Sequence, residues 1–289
     1  MLLSGTTKLL GVIGHPIAHS LSPIMHNAAL THLGLDYVYL PLPVKPEDLE
    51  VAIAGLAAIG MRGFNVTIPH KQAVMGLMSE ISAVAQAVGA VNTVSWTESG
   101  WVGTNTDVAG FLAPLQSLSK GWSQKSAVIL GNGGAARAVV AGCTQLGCEQ
   151  VQVVGRDVEK LREFLYSWNL AAIPANLSVH LWDDLPTLLP QADLLVNTTP
   201  LGMYPHVERS PLSPSELELL KLGAIAYDLI YTPNPTRFLQ LAQANGAIAI
   251  DGLEMLIHQG AAALEGWIQQ PAPVDIMRQA LLDRLKIAK

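Results

Sequence analysis

In the first 110 residues, polar side chains able to do chemistry gather where apolar runs end. They are Ser20 and Ser22, Asn65 and Thr67, Lys71, Asn92, and then Asn105, Thr106 and Asp107. Ligands of parallel α/β sheets lie outside the carboxyl ends of the strands, so these groups are expected to converge on one crevice. Hydroxyl and amide groups dominate the set, with one ammonium and one carboxylate. That mixture suits a small, hydroxylated, acidic metabolite better than an apolar one. Lys71 and Asp107 are the one cation and the one anion of the set. A lysine opening the helix expected from Lys71 to Met78 works against the helix dipole, which favours a functional role, whereas Asp107 suits a helix N-terminus. Ser22, ahead of Pro23, reads as a helix cap with proline in the first helical position, whatever else it does.

A second constellation follows the apolar run Ser126-Ala127-Val128-Ile129-Leu130. There the chain reads Gly131-Asn132-Gly133-Gly134-Ala135-Ala136-Arg137, a G-x-G-x-x-A pattern. A helix pattern through Ala138, Val139, Val140, Ala141 and Leu146 comes next, and Val151-Gln152-Val153-Val154 follows as a second strand. A glycine turn at a helix N-terminus presents unpaired N–H groups to a pyrophosphate, and strand, turn, helix and strand within about thirty residues form the dinucleotide-binding βαβ unit. The end of the second strand selects the dinucleotide. Gly155 is followed by Arg156, Asp157 and Lys160. Arg156 and Lys160 favour NADP, because a guanidinium and an ammonium match the extra phosphate. Asp157 either repels that phosphate or caps the next helix.

These groups need a scaffold. Strands are expected over Lys8 to Ile13, Tyr37 to Leu42, Arg62 to Ile68, Gly89 to Val94 and Trp101 to Thr104. Helices are expected from Ser22 to Gly34, Pro46 to Ile59, Lys71 to Met78 and Asp107 to Leu118. The later half adds a helix through Phe164 and strands at Val179 to Trp182, Leu194 to Asn197, Ala224 to Asp228 and Ala247 to Ile250. Six strands alternating with helices match a doubly wound nucleotide domain. Helices from Leu253 to Trp267 and Pro273 to Ile287 are too apolar to stand alone, so they are expected to pack back on the first domain. The expected fold is therefore α/β in two domains. Residues 1–110, with 253–289 returning, form a substrate domain, and 111–252 form a Rossmann-type domain, with a cleft between them.

The chain has 289 residues, a net charge of −6 and only 14% charged side chains. Such a surface lacks the basic face that nucleic acid requires. No apolar run reaches the roughly eighteen residues of a membrane span, and Met1 to Gly14 reads as a first strand rather than a secretory leader. A cytoplasmic location is expected, with Cys143 and Cys148 as reduced packing residues. His15 and His19 are four apart, but Pro16 lies between them and no third ligand accompanies them, so no metal site is expected. Monomer and homodimer are both compatible with the sequence.

The chain resembles the shikimate dehydrogenase family across essentially its whole length. The resemblance is carried by His19-Ser20-Leu21-Ser22-Pro23, Asn65-Val66-Thr67-Ile68-Pro69-His70-Lys71, Gly89-Ala90-Val91-Asn92-Thr93, Gly103-Thr104-Asn105-Thr106-Asp107 and Gly131-Asn132-Gly133-Gly134-Ala135. It continues through Asn197-Thr198-Thr199-Pro200-Leu201-Gly202-Met203, Tyr227-Asp228-Leu229-Ile230-Tyr231 and Asp251-Gly252 to Gln259. The resemblance implies NADPH-dependent, reversible reduction of 3-dehydroshikimate to shikimate in chorismate and aromatic amino acid biosynthesis. It implies that Ser20, Ser22, Thr67, Asn92, Asp107, Tyr231 and Gln259 bind the substrate and that Lys71 with Asp107 handles the proton. It further implies a cofactor held by residues 131–135, Arg156, Lys160, Thr198, Leu229 and Gly252. Gly155-Arg156-Asp157 stands where many members carry Asn-Arg-Thr, and Ala83 where some carry an acid. An NAD-dependent quinate/shikimate dehydrogenase is the alternative, kept open by Asp157. A non-catalytic nucleotide-binding protein is the remoter one, opposed by the presence of both Lys71 and Asp107.

Overall fold

The apolar run from Lys8 becomes β1 (Lys8–Gly14), buried along most of its length and flanked on both sides by parallel partners. In this computed structural model residues 3–116, 118, 121–169 and 176–286 are described. They divide into two units, the residues up to Gly110 with those from Ile257 onward, and Phe111–Leu256.

In the first unit β1 is followed by α1 (Ser22–His32), β2 (Tyr37–Pro43), α2 (Leu49–Ala58) and β3 (Gly63–Val66). Then come β4 (Glu80–Ile81), α3 (Ala83–Val88), β5 (Thr93–Thr97), β6 (Gly100–Thr104) and the start of α4 (Asp107–Gln116). The sheet order is β2-β1-β3-β5-β6-β4. Its core joins Ile13, Phe64, Val66, Val91, Val94 and Trp101 to Leu49, Ile53 and Leu56 of α2.

Three expectations need correction. The sheet is mixed: β6 returns antiparallel to β5 after the turn at Glu98-Ser99-Gly100, as its sequence suggests, but β5 also runs antiparallel to β3, which the alternation of strands and helices does not suggest. That reversal brings the start of β5 beside the ends of β3 and β6, so Asn92 reaches the others from an amino end. The helix expected from Lys71 to Met78 is a five-residue 3₁₀ segment, Ala73–Leu77. A short stretch containing Gly76 and bounded by β4 gains little from α-helical cooperativity. Lys71 therefore precedes this segment and is not a first-turn helical residue. Ser22 is the first residue of α1 rather than its cap; Leu21 takes that place, and its side chain makes no capping hydrogen bond.

The second unit contains β7 (Ser126–Leu130), α5 (Gly134–Leu146), β8 (Gln150–Gly155), α6 (Val158–Asn169), β9 (Leu177–Leu181), α7 (Leu185–Leu188) and β10 (Leu194–Asn197). It continues with α8 (Pro214–Leu217), β11 (Ile225–Asp228), α9 (Arg237–Ala244) and β12 (Ile248–Ile250). The order β12-β11-β10-β7-β8-β9 is parallel throughout, the doubly wound arrangement expected of a dinucleotide-binding domain. Its strands are nearly continuous apolar runs because both faces are covered. Cys143 and Cys148 are free and buried.

The chain ends in α10 (Leu253–Ile268) and α11 (Val274–Leu285). In the first unit α11 packs along α1, and Trp267 donates its indole N–H to the Val94 carbonyl at 3.0 Å. The expected helix ends beyond Gln116 and Leu285 touch Ser117 and Ile287, which lie outside the described residues. No helix among the described residues is long and apolar enough to cross a membrane.

His26 of α1 is fully buried, stacks on Tyr39 at 4.2 Å, and has no hydrogen-bond partner for either ring nitrogen among the described residues. Burial penalises the imidazolium and lowers its pKa from 6.5 to about 3. A depressed folded-state value means that the contribution to stability is complete above pH 6.5 and is lost as pH falls toward 3. Between pH 7 and pH 4 this group is expected to remove about 3 kcal/mol. Urea unfolding across that range checks it: the acid slope should shrink in His26→Phe, and an unchanged slope would assign the acid sensitivity elsewhere.

Candidate functional site

Lys71 follows a turn held in place by its neighbours. The His70 ring is buried and its Nε2 lies 2.7 Å from the Val44 carbonyl, while the Lys71 carbonyl accepts from Val91 N at 2.8 Å. From there Nζ reaches Asp107 Oδ2 at 2.7 Å, with side-chain exposures of 21% and 10%. Asp107 opens α4, where the helix N-terminus favours a carboxylate. Its other oxygen accepts from Asn92 Nδ2 at 2.8 Å. The ammonium thus has one strong partner and, being partly exposed, protons left over for an incoming ligand.

Asn92 is tied down on every side. Its Oδ1 accepts from Thr106 N at 2.7 Å and from Thr93 Oγ1 at 2.9 Å, and its backbone bonds Thr104 and Val66 across the sheet. Asn65, one residue before the end of β3, donates to Thr93 Oγ1 at 3.0 Å and to the Asn92 carbonyl at 3.1 Å, and accepts from the Tyr39 hydroxyl at 2.7 Å. Asn105 donates to the Ala90 carbonyl and accepts from Asp107 N, both at 3.0 Å, which fixes the turn into α4.

The remaining expected substrate residues are placed as follows. Ser20 accepts from Ser22 N at 3.3 Å, and the Ser22 hydroxyl is a hydrogen-bonding neighbour of Tyr39. Thr67 follows β3, its backbone N–H bonded to Ile13. Gln259 sits half-buried on α10, next to Gly260, which packs closely on Met25 and His26 of α1. Tyr231 belongs to the second unit, where burial raises its hydroxyl pKa. Lys71, Asn92 and Asp107 are bonded directly, and Ser22 reaches them through Tyr39 and Asn65. Tyr39 and Thr93 do not stand out in the sequence as polar site residues, because a tyrosine and a threonine within β-strand patterns are also ordinary strand formers.

In the second unit the expected cofactor residues line up along the carboxyl edge of the sheet. Gly131 leaves β7 at φ +102°, and Thr198 after β10 donates its hydroxyl to the Leu130 carbonyl at 2.7 Å. Gly133 and Gly134 have open space where a side chain would stand, so the N-terminus of α5 can be approached closely. Leu229 N bonds the Asn197 carbonyl at 3.1 Å, and a side chain on Gly252 would strike the Leu229 carbonyl oxygen at 2.2 Å. Asp228, buried beneath this turn, accepts from Thr236 Oγ1 at 2.6 Å, Asn197 Nδ2 at 3.0 Å and Ile230 N at 3.1 Å. Burial nevertheless lifts its pKa to about 6.

The end of β8 decides between the two readings of Asp157. Its Oδ1 accepts from Glu159 N at 3.0 Å and Lys160 N at 3.1 Å, so the carboxylate caps α6. Arg156 lies over the Trp182 indole, 4.9 Å from the ring centroid, with Lys160 exposed nearby in sequence. An open glycine turn and an exposed guanidinium fit a dinucleotide carrying an extra phosphate. No group of three or more His, Cys, Asp or Glu among the described residues could hold a metal.

Residues 12–94 match the family model described as shikimate dehydrogenase substrate binding domain, and residues 252–282 match the shikimate 5'-dehydrogenase C-terminal domain. The chain is 66% identical over 286 residues to shikimate dehydrogenase (NADP(+)) of Trichormus variabilis, covering 98% of this chain and 99% of that one. A shikimate dehydrogenase solved in complex with NADP+ superposes with a TM-score of 0.87 at 38% identity, covering 100% of this chain and 98% of the other. The shikimate 5-dehydrogenase of Thermus thermophilus, solved with NADP(H) and shikimate, gives 0.83 at 35% identity, with coverage of 94% and 98%. With its doubly wound second unit, its Lys71–Asp107 pair and relatives of this similarity along its whole length, the chain belongs to the shikimate dehydrogenase family.

Proposed function

We propose that the chain catalyses the reversible, NADPH-dependent reduction of 3-dehydroshikimate to shikimate, in the biosynthesis of chorismate and the aromatic amino acids. The observation that carries this reading is the ammonium–carboxylate pair at 2.7 Å within a shell of amides and hydroxyls. When bound, NADPH supplies the hydride that the ketone carbon accepts. Lys71 Nζ gives a proton to the developing alkoxide, and Asp107 holds the ammonium in place and takes part in its reprotonation. Ser20, Ser22, Thr67, Asn92, Tyr231 and Gln259 bind the carboxylate and hydroxyls of the substrate. The second unit holds the cofactor through Gly131, Asn132, Gly133, Gly134, Ala135, Gly155, Arg156, Lys160, Thr198, Leu229 and Gly252.

The reading takes the chain as a monomer or a homodimer. Two free buried thiols are in keeping with a reducing cytoplasm.

The test follows NADPH and NADH absorbance separately with dehydroshikimate, and the reverse reaction with shikimate and quinate. Turnover is expected with NADPH and with shikimate; oxidation of NADH alone, or quinate as the only alcohol oxidised, would overturn the assignment. Arg156→Ala is expected to raise KM for NADPH about ten- to hundredfold, the value of one charge-assisted contact, and to leave KM for NADH unchanged.

A further inference from the structure

The Lys71–Asp107 pair is the end of a longer chain of hydrogen bonds that begins at a residue far from the ammonium. Tyr39 is 1% exposed, and a phenol so deeply buried needs a partner for its O–H. That partner is Asn65 Oδ1, at 2.7 Å. The two amide side chains along it each have a single orientation, while the Thr93–Thr106 hydroxyl contact at 3.0 Å can run either way. Asn65 Nδ2 gives its hydrogens to the Asn92 carbonyl and to Thr93 Oγ1, so the amide oxygen must face Tyr39. Thr93 Oγ1 lies 2.9 Å from Asn92 Oδ1, an acceptor for its hydrogen, and 3.0 Å from Thr106 Oγ1. Asn92 Oδ1 also accepts from Thr106 N, which leaves Nδ2 as the end that meets Asp107 Oδ1 at 2.8 Å. Its other oxygen, Oδ2, receives Lys71 Nζ at 2.7 Å.

The phenol at the head of this chain is immobilised. Its ring lies parallel to His26, with 6° between the planes, and Trp267 closes over it at 6.1 Å. The Asn27 side chain clamps the Tyr39 backbone, donating to its carbonyl at 2.8 Å and accepting from its N–H at 2.9 Å. The Ser22 hydroxyl neighbours the same phenol, so the serine assigned to the substrate and the pair assigned to the proton share one anchor.

We propose that Tyr39 is a positioning residue for the reaction, its hydroxyl setting the orientation of Asn65 and Asn92 and through them the place of Asp107 and Lys71. The inference rests on the dehydrogenase reading above. Small errors in the placement of a proton donor cost turnover without loosening substrate binding, because the donor acts on charge that develops only in the transition state.

Tyr39→Phe keeps the ring against His26 and deletes only the hydroxyl. It is expected to lower kcat about fivefold to twentyfold while KM for the ketone and for NADPH stay within twofold, as loss of one neutral hydrogen bond predicts. Thr93→Val cuts the same chain between Asn65 and Asn92 and is expected to behave alike. The double variant should be scarcely worse than either single one, since both act through one path. A purely structural role would lower thermal stability and leave kcat untouched. Wild-type kcat in both single variants, or losses that multiply in the double variant, overturns the proposal. If Tyr39→Phe does not fold, Thr93→Val alone decides it by the same split of kcat from KM. Lys71→Ala run in parallel separates the two readings. Should it keep wild-type turnover, the dehydrogenase chemistry assigned to this site fails; should it be inactive while Tyr39→Phe and Thr93→Val are normal, only the positioning role fails.

Discussion

Lys71→Ala is expected to lower kcat by about 10²–10⁴-fold, the usual contribution of a positioned general acid, with KM for the ketone changed only a fewfold. The split follows from where the ammonium sits. Its one strong bond is to Asp107 Oδ2 at 2.7 Å, while the amides and hydroxyls around it offer many other contacts to a polyhydroxylated ring. Removing Nζ therefore deletes the proton source for the alkoxide but few of the groups that bind the ground state. Asp107 keeps Asn92 as a partner, so the site should stay folded. Lys71→Arg should not restore turnover, because a planar guanidinium holds its proton too firmly and cannot occupy the same point. Steady-state kinetics decide the matter, and a raised KM with unchanged kcat would take Lys71 out of the chemistry.

The parts of this site that could be read from residue order are those in which chemistry and local periodicity coincide. β7, its glycine turn and α5 follow one another so closely that apolar run, glycines and helical pattern point to one unit, and the parallel order of the second sheet follows from strand–helix alternation. Lys71 and Asp107 stand out because charged residues are scarce where apolar runs end. The reversal of β5 was hidden: β3 and β5 are neighbours in the sheet but lie far apart in sequence, and no short turn marks their pairing. β4 has two residues and α3 has six, too few for any period to register. Ser82 caps α3, yet a serine before an alanine-rich segment looks like many loop serines. Asp157 shows the opposite limit. Its side chain could face a phosphate or the next helix, and only the backbone direction after β8 settles that it accepts from Glu159 and Lys160.

Gly252→Ala should damage the other half of the catalyst while leaving the proton pair alone. A methyl group there would lie 2.2 Å from the Leu229 carbonyl oxygen and 2.5 Å from its carbon, so one of two backbone segments has to move. Neither is free to do so. Leu229 N is bonded to the Asn197 carbonyl, Gly252 N to the Ile230 carbonyl, and the intervening turn hangs on buried Asp228 through Ile230 N and Thr236. Overpacking against fixed atoms costs about 1–3 kcal/mol, which corresponds to about ten- to a hundredfold in a binding constant if the strain falls on the cofactor edge. KM for NADPH should therefore rise by that factor, with a lowered Tm, while kcat at saturating NADPH stays within a fewfold of wild type. Gly133→Ala is the informative contrast, because nothing stands within 4 Å of the added methyl in the protein itself. Its Tm should be unchanged, and any rise in KM for NADPH would then report a clash with the bound pyrophosphate rather than with the fold. A Gly252→Ala enzyme with normal Tm and normal KM for NADPH would mean that the close approach of Leu229 and Gly252 plays no part in holding the dinucleotide.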